Sequence, residues 1–203
     1  MKWKKLGQVF DPTTWNDGIE RDWMKSHSQC TSTLVFDDFV RIYFSSRFDN
    51  DKDGQATSVT SFLDVERSNL KKIIRVSKQP VMELGKIGQF DENAIYPTSV
   101  IRQDGRVFLY YAGWSRCKSV PFNTSVGLAI SENDGETFIR YADGPVLGAS
   151  PFEPFVISGP KIRKFGDMFF MYYLAGCEWL LQDGVPEIVY KNRMATSLDG
   201  INW

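Results

Sequence analysis

The chain has 203 residues, 42% of them hydrophobic, with 24 basic side chains against 25 acidic ones; that suits one domain, or part of a larger one, with a sizeable core. A net charge of −1 and the lack of a Lys/Arg stripe leave no footprint for nucleic acid and no polybasic membrane patch. No apolar run approaches the roughly 20 residues that cross a bilayer as a helix.

The first residues, "MKWKKLGQVFDP", carry positive charge without an apolar stretch behind it, which does not read as a secretory signal. Three dispersed cysteines, Cys30, Cys117 and Cys177, suit a reducing compartment, and a cytoplasmic location is expected. Residues 3–12 read as an outer strand with no companions before it.

From there the chain repeats itself. "TSTLVFDDF" (Thr31–Phe39) runs into "RIYFSSR" (Arg41–Arg47), then "SVTSFLDVE" (Ser58–Glu66) and "IIRVSKQPVMEL" (Ile73–Leu84). The second pass reads "TSVIRQDGR" (Thr98–Arg106), "VFLYYAGW" (Val107–Trp114), "VGLAIS" (Val126–Ser131) and "FIRYADGPVLGA" (Phe138–Ala149). The third reads "GPKIRKFGD" (Gly159–Asp167), "FMYYLAG" (Phe170–Gly176) and "YKNRMATS" (Tyr190–Ser197), then "LDGINW". "QDGR" and "FGD" are hairpin turns. Tyr43, Tyr110 and Tyr172 recur at intervals of 67 and 62 residues, and Pro80 and Pro145 lie 65 apart. Proline belongs at a sheet edge or bulge, so the fourth strand of each unit is the outer one.

Units of four antiparallel strands, with no 3.6-residue apolar period between them, predict an all-β fold, a β-propeller. A sandwich or barrel is the structural alternative, but neither needs four strands repeated in one order. The expected blades are 23–85, 86–150 and 151–203, the last without its outer strand, and 3–12 supplies the outer strand of a split blade. Propellers have four to eight blades, so three make an incomplete one, closed by about two further blades or by a partner chain. The 6 Trp, 8 Tyr and 15 Phe would pack between blades, and at an open end they predict a homo-oligomer covering the face.

Taken together, "FVRIYFSSR", "GQFDENAIYPTSV", "YYAGWSR", "VGLAISENDGETF" and "GPVL" resemble the five-bladed propeller glycoside hydrolase superfamily of arabinanases, invertases and mannoside phosphorylases. They are most similar to an uncharacterised bacterial branch of it. The resemblance covers nearly the whole chain but about three of five blades. It implies a sugar at one mouth of the central channel and carboxylates on the inner strands, two of them flanking the scissile bond. In arabinanase-like members those acids stand one or two positions before a proline. The matching positions here are Gln29 (before Cys30), Tyr96 and Ser158, none of them acidic.

Other acids precede the inner strands. Asp91 and Glu92 lie in "QFDENAIYP", Glu153 lies in "SPFEPFVISGP", and the same slot of the first copy, "DWMKSHSQC", holds Asp22 and the single histidine, His27. Asp91, Glu153 and His27 are therefore the expected catalytic groups, set against the ordinary reading of loop acids as turn formers or ion-pair partners. Expected substrate contacts are Arg47, Glu92, Tyr96, Trp114, Glu178, Trp179, Gln29 and Ser158, with Trp114 and Trp179 offering ring faces to a sugar. "DNDKDG" (Asp49–Gly54) resembles the start of a calcium loop, but Thr60 stands where the bidentate Glu belongs. It reads as an acidic hairpin loop, and neither a metal nor a cofactor is expected. The function expected is cleavage of a glycosidic bond, by hydrolysis or phosphorolysis. The alternative is a sugar-binding or catalytically degenerate propeller.

Overall fold

The computed structural model describes residues 2–48 and 56–203; the acidic stretch at 49–54 lies outside the described residues. Within them there are eleven strands and no helix. The first sheet holds β1 (Ser26–Val35), β2 (Phe39–Arg47), β3 (Ser58–Glu66) and β4 (Asn69–Val76), antiparallel in chain order. The second holds β5 (Ala94–Gln103), β6 (Arg106–Arg116), β7 (Phe122–Ser131) and the two-residue β8 (Ile139–Arg140), paired the same way. The third holds β9 (Ile157–Phe165), β10 (Met168–Gln182) and β11 (Val185–Ser197). A single parallel pair, Ser58 with Ala94, joins the first two sheets.

The first strands of the three sheets stand side by side. Ser32 Oγ on β1 accepts the N–H of Val100 on β5, and Ser99 Oγ accepts that of Ile162 on β9, each at 3.0 Å. These stitches set β1, β5 and β9 around a common axis. The sheets radiate from it and bury their faces against one another.

Strand alternation explains the repeated aromatics, because adjacent residues point to opposite faces. Tyr43 and Tyr110 face the following sheet. Tyr43 donates to the carbonyl of Gly135 and Tyr110 to that of Gly200, each at 2.8 Å. Each glycine lies in the turn after the next sheet's third strand, and a serine hydroxyl, of Ser131 or Ser197, accepts its N–H at 2.9 Å. The recurring Ser and Asp-Gly are thus the socket for the preceding tyrosine. Only glycine suits it: φ is +79° and +73°, and a Cβ would lie 2.0 and 2.6 Å from the two phenol oxygens. The next residue in each copy, Tyr111 or Tyr173, turns to the preceding sheet and is buried there.

Three expectations need correction. Residues 3–12 form no strand; Phe10 instead packs on Phe44, ring centroids 5.2 Å apart, and covers the outer face of the first sheet. Gly7 lies beside Lys71 of β4, and Gln8, Val9 and Phe10 share a hollow with Ile73 of the same strand; packing of Phe10 with Val9 and Trp15 against the first sheet sets their position without ladder bonds. Pro80 and Pro145 fall beyond the ends of β4 and β8, because a residue without an N–H cannot extend a ladder. Glu178 and Trp179, past the Gly176 at which the aromatic run is expected to end, lie within β10, paired with Val189 and Ile188. The hairpin continues to Asp183 and Gly184, whose φ of 51° and 81° match the type I′ turn of Asp104 and Gly105.

Candidate functional site

Each inner strand is irregular at the same place. The pairing register shifts between Gln29 and Ser32 on β1 and between Pro97 and Ser99 on β5; on β9 it shifts opposite the Tyr172–Leu174 step of β10. A bulge bends its strand and re-aims the neighbouring side chains. On β1 it coincides with positive φ at two non-glycine residues, His27 (63°) and Cys30 (54°), and β9 has Gly159 at 61°. Left-handed backbone of this kind costs energy, and such strain clusters at ligand sites.

The bulges bring Gln29, Tyr96 and Ser158 together. They are register equivalents, opposite Ser45, Ala112 and Leu174, and they line one cavity of about 350 Å³ with Cys30, Arg47 and Trp114. Arg47, Tyr96 and Trp114 also border an adjoining hollow of about 190 Å³, to which Asn93 and Arg116 contribute. Trp114 meets Tyr96 edge-on at 5.5 Å and stacks on Phe122 at 4.1 Å; Phe122 in turn meets Trp179 at 5.6 Å. The lining therefore offers an amide, a phenol, hydroxyls, a guanidinium and an indole. Partial desolvation raises the Cys30 thiol above its usual range, against the pull of Lys161 and Arg47, although the residue keeps access to solvent. Among the described residues no carboxylate and no imidazole lines it. Two larger depressions, of about 530 and 410 Å³, lie on the first sheet and share no residue with this cavity.

The expected catalytic groups sit elsewhere. Asp91 has no exposed surface. It accepts the Tyr111 hydroxyl at 2.9 Å and pairs with Arg140 at 2.8 Å. Glu153 accepts the Tyr173 hydroxyl at 2.9 Å and pairs with Arg193 at 3.3 Å. Burial, then the Glu153 hydrogen bond, push the Tyr173 phenol up to about 12. These are one device used twice. A carboxylate 20 residues upstream latches onto the second strand's tyrosine, and an arginine holds the charge. The first copy has Phe44 at the equivalent position, with no hydroxyl to offer. Asp91 does not line the cavity; its two bonds fall on one carboxylate oxygen, and the other is buried with no hydrogen-bond partner among the described residues. Glu153 does not line the cavity either.

His27 is exposed on β1, with Nδ1 2.8 Å from Ser26 Oγ, and does not line the cavity. Glu92 accepts the N–H of Gly88 at 2.7 Å within its loop. Glu178 is exposed on β10. Of the expected substrate contacts, Gln29, Arg47, Tyr96, Trp114 and Ser158 converge, and Trp179 joins through Phe122. Sequence reasoning missed Cys30, Thr98 and Phe122. The first two follow Gln29 and Tyr96 by one and two positions, so a search for bulged inner strands would have found them.

No family model matches the chain. An uncharacterised protein of Mycobacterium tuberculosis is 33% identical over 204 residues, spanning all of this chain and 64% of that protein. A beta-1,2-mannobiose phosphorylase of Thermoanaerobacter sp. is 30% identical over 122 residues, 54% of this chain and 39% of the phosphorylase. This chain thus spans under two thirds of the curated relatives it matches. Among solved structures, a glycoside hydrolase superimposes with a TM-score of 0.69 at 16% identity, over 99% of this chain and 60% of its own. A family 117 glycoside hydrolase of Zobellia galactanivorans gives 0.59 at 18% identity, over 88% and 45%. The fold is that of the propeller glycoside hydrolases, with three sheets of the ring present.

Proposed function

We propose that this chain forms the sugar-binding mouth of a carbohydrate-active propeller, with the sugar held in the cavity of Gln29, Tyr96 and Ser158. The convergence of those three side chains from three bulged inner strands carries the reading. Neutral donors and acceptors beside an indole face match what a sugar presents: hydroxyls on its edges and an apolar C–H face. Arg47, at the junction of the two hollows, holds an oxygen-rich group in place. The names of the similar proteins, glycoside hydrolases and a mannobiose phosphorylase, favour the same ligand class.

Glycosidic cleavage by paired carboxylates needs one protonated and one ionised acid across the bond. The cavity supplies neither from its described lining. The geometry therefore favours binding over turnover by Asp91 and Glu153, and cleavage remains the second reading, favoured by the names of the similar proteins. Tryptophan fluorescence titration with mannose and β-1,2-mannobiose tests the proposal. Trp114 is expected to report saturable binding that Gln29→Ala and Tyr96→Ala weaken by about tenfold each, the worth of a well-made polar contact. Flat titrations with both sugars, or binding untouched by either substitution, would remove the site.

A further inference from the structure

Lys161 and Arg163 break the repeat. Ser32 and Ser99 stand opposite Tyr43 and Tyr110, and the residue opposite Tyr172 is Lys161. Two positions further along, Leu34 and Ile101 are answered by Arg163. The serines at this position stitch their strand to the next by accepting a backbone N–H. An ammonium has no lone pair to accept with, so Lys161 cannot serve that purpose. It folds back, and its Nζ donates to the carbonyl of Thr98 on the neighbouring inner strand.

The result is a polar space of about 240 Å³ on the axis, bordered by Ser32, Thr33, Thr98, Ser99, Lys161 and Arg163. Thr98 borders the sugar cavity as well, so the two are neighbours. The two cations' partners among the described residues are carbonyl groups, those of Thr98 and Ile162. Neither charge has a carboxylate partner among the described residues. Partial desolvation, with Arg163 adding repulsion against the pull of Cys30, lowers the Lys161 ammonium below its usual range, while both side chains keep access to solvent. Ser32 and Ser99 accept from the backbone but give their own protons to no acceptor among the described residues. Donors thus come from all three inner strands toward one space.

We infer that this space is an anion subsite for a phosphate-class oxyanion, which takes charge-assisted bonds from Lys161 and Arg163 and hydroxyl protons from Ser32 and Ser99. The tetrahedral class fits because the donors surround the space, where a planar carboxylate would be met from one edge. The oxyanion is either free phosphate or a phosphate carried by a sugar seated in the adjoining cavity. The inference does not depend on the proposed sugar site, since phosphate alone is the probe.

The experiment is calorimetric titration of the full chain with inorganic phosphate, glucose 6-phosphate and glucose, alongside phosphorus NMR line widths. Lys161→Ser and Arg163→Leu restore the residue types of the other two copies, and circular dichroism checks that they fold. Phosphate is expected to bind wild type and to weaken by about tenfold or more in each variant, while Lys161→Arg retains binding. A sugar-borne source shows as glucose 6-phosphate binding more tightly than phosphate; a free source shows as phosphate binding at least as tightly. No phosphate or glucose 6-phosphate binding by the wild type, or unchanged binding in both folded variants, overturns the assignment.

Discussion

Asp91 shows how a side chain's task depends on partners far away in the chain. Its sequence setting, an acid in a loop before an inner strand, suits a catalytic carboxylate. Its partners, Tyr111 and Arg140, lie 20 and 49 residues on, and nothing local announces them. The second use of the same device, Glu153 with Tyr173, was legible only as a repeat whose first copy carries Phe44. A latch and a catalyst respond differently to Asp91→Asn. Removing the charge leaves the Arg140 guanidinium, 18% exposed, without its counter-charge, and breaking a buried pair costs about 3 kcal/mol. Urea denaturation is expected to show that loss, with Tyr111→Phe moving the midpoint in the same direction. Full stability of Asp91→Asn, together with loss of a glycoside-cleaving activity, would return Asp91 to the chemistry.

Elements were more legible than contacts. The aromatic runs, Asp-Gly turns and repeat spacing specify β1–β3 and β5–β7 because strand alternation and turn chemistry are local. The long β10–β11 hairpin escaped, although "QDG" at 182–184 repeats the signal at 103–105. Bulges escaped too, since their register is set by the neighbouring strand. The tyrosine socket is where element meets element, and Gly135 tests it. Alanine there faces a positive φ and the Tyr43 hydroxyl 2.0 Å from its Cβ. Strained backbone alone costs about 1–3 kcal/mol, and the clash adds to it. In a double-mutant cycle, Tyr43→Phe removes the clashing oxygen and is expected to recover part of the Gly135→Ala loss. Strict additivity of the two would mean that the hydroxyl does not seat in the turn.

For the molecule as a whole, the same alternation that closes two sheet interfaces leaves one face uncovered. Tyr43 and Tyr110 are fully buried, whereas their counterpart Tyr172 is 53% exposed. Met194, directly opposite it on β11, is 54% exposed. Phe165 and Leu174 add to the apolar surface of this sheet. In the first two copies the equivalent side chains meet a following sheet, and a patch of this kind in water favours association. The chain is therefore expected to self-associate with rising concentration in sedimentation velocity and to bind a hydrophobic dye. Tyr172→Lys combined with Met194→Lys places two charges on adjacent strands of that face. It should leave a monomer with reduced dye binding and an unchanged circular dichroism spectrum, because neither side chain contributes to a core. A wild-type chain that stays monomeric and dye-free at high concentration would show that this face needs no cover. The rule drawn from the first two sheets would then stop at the second.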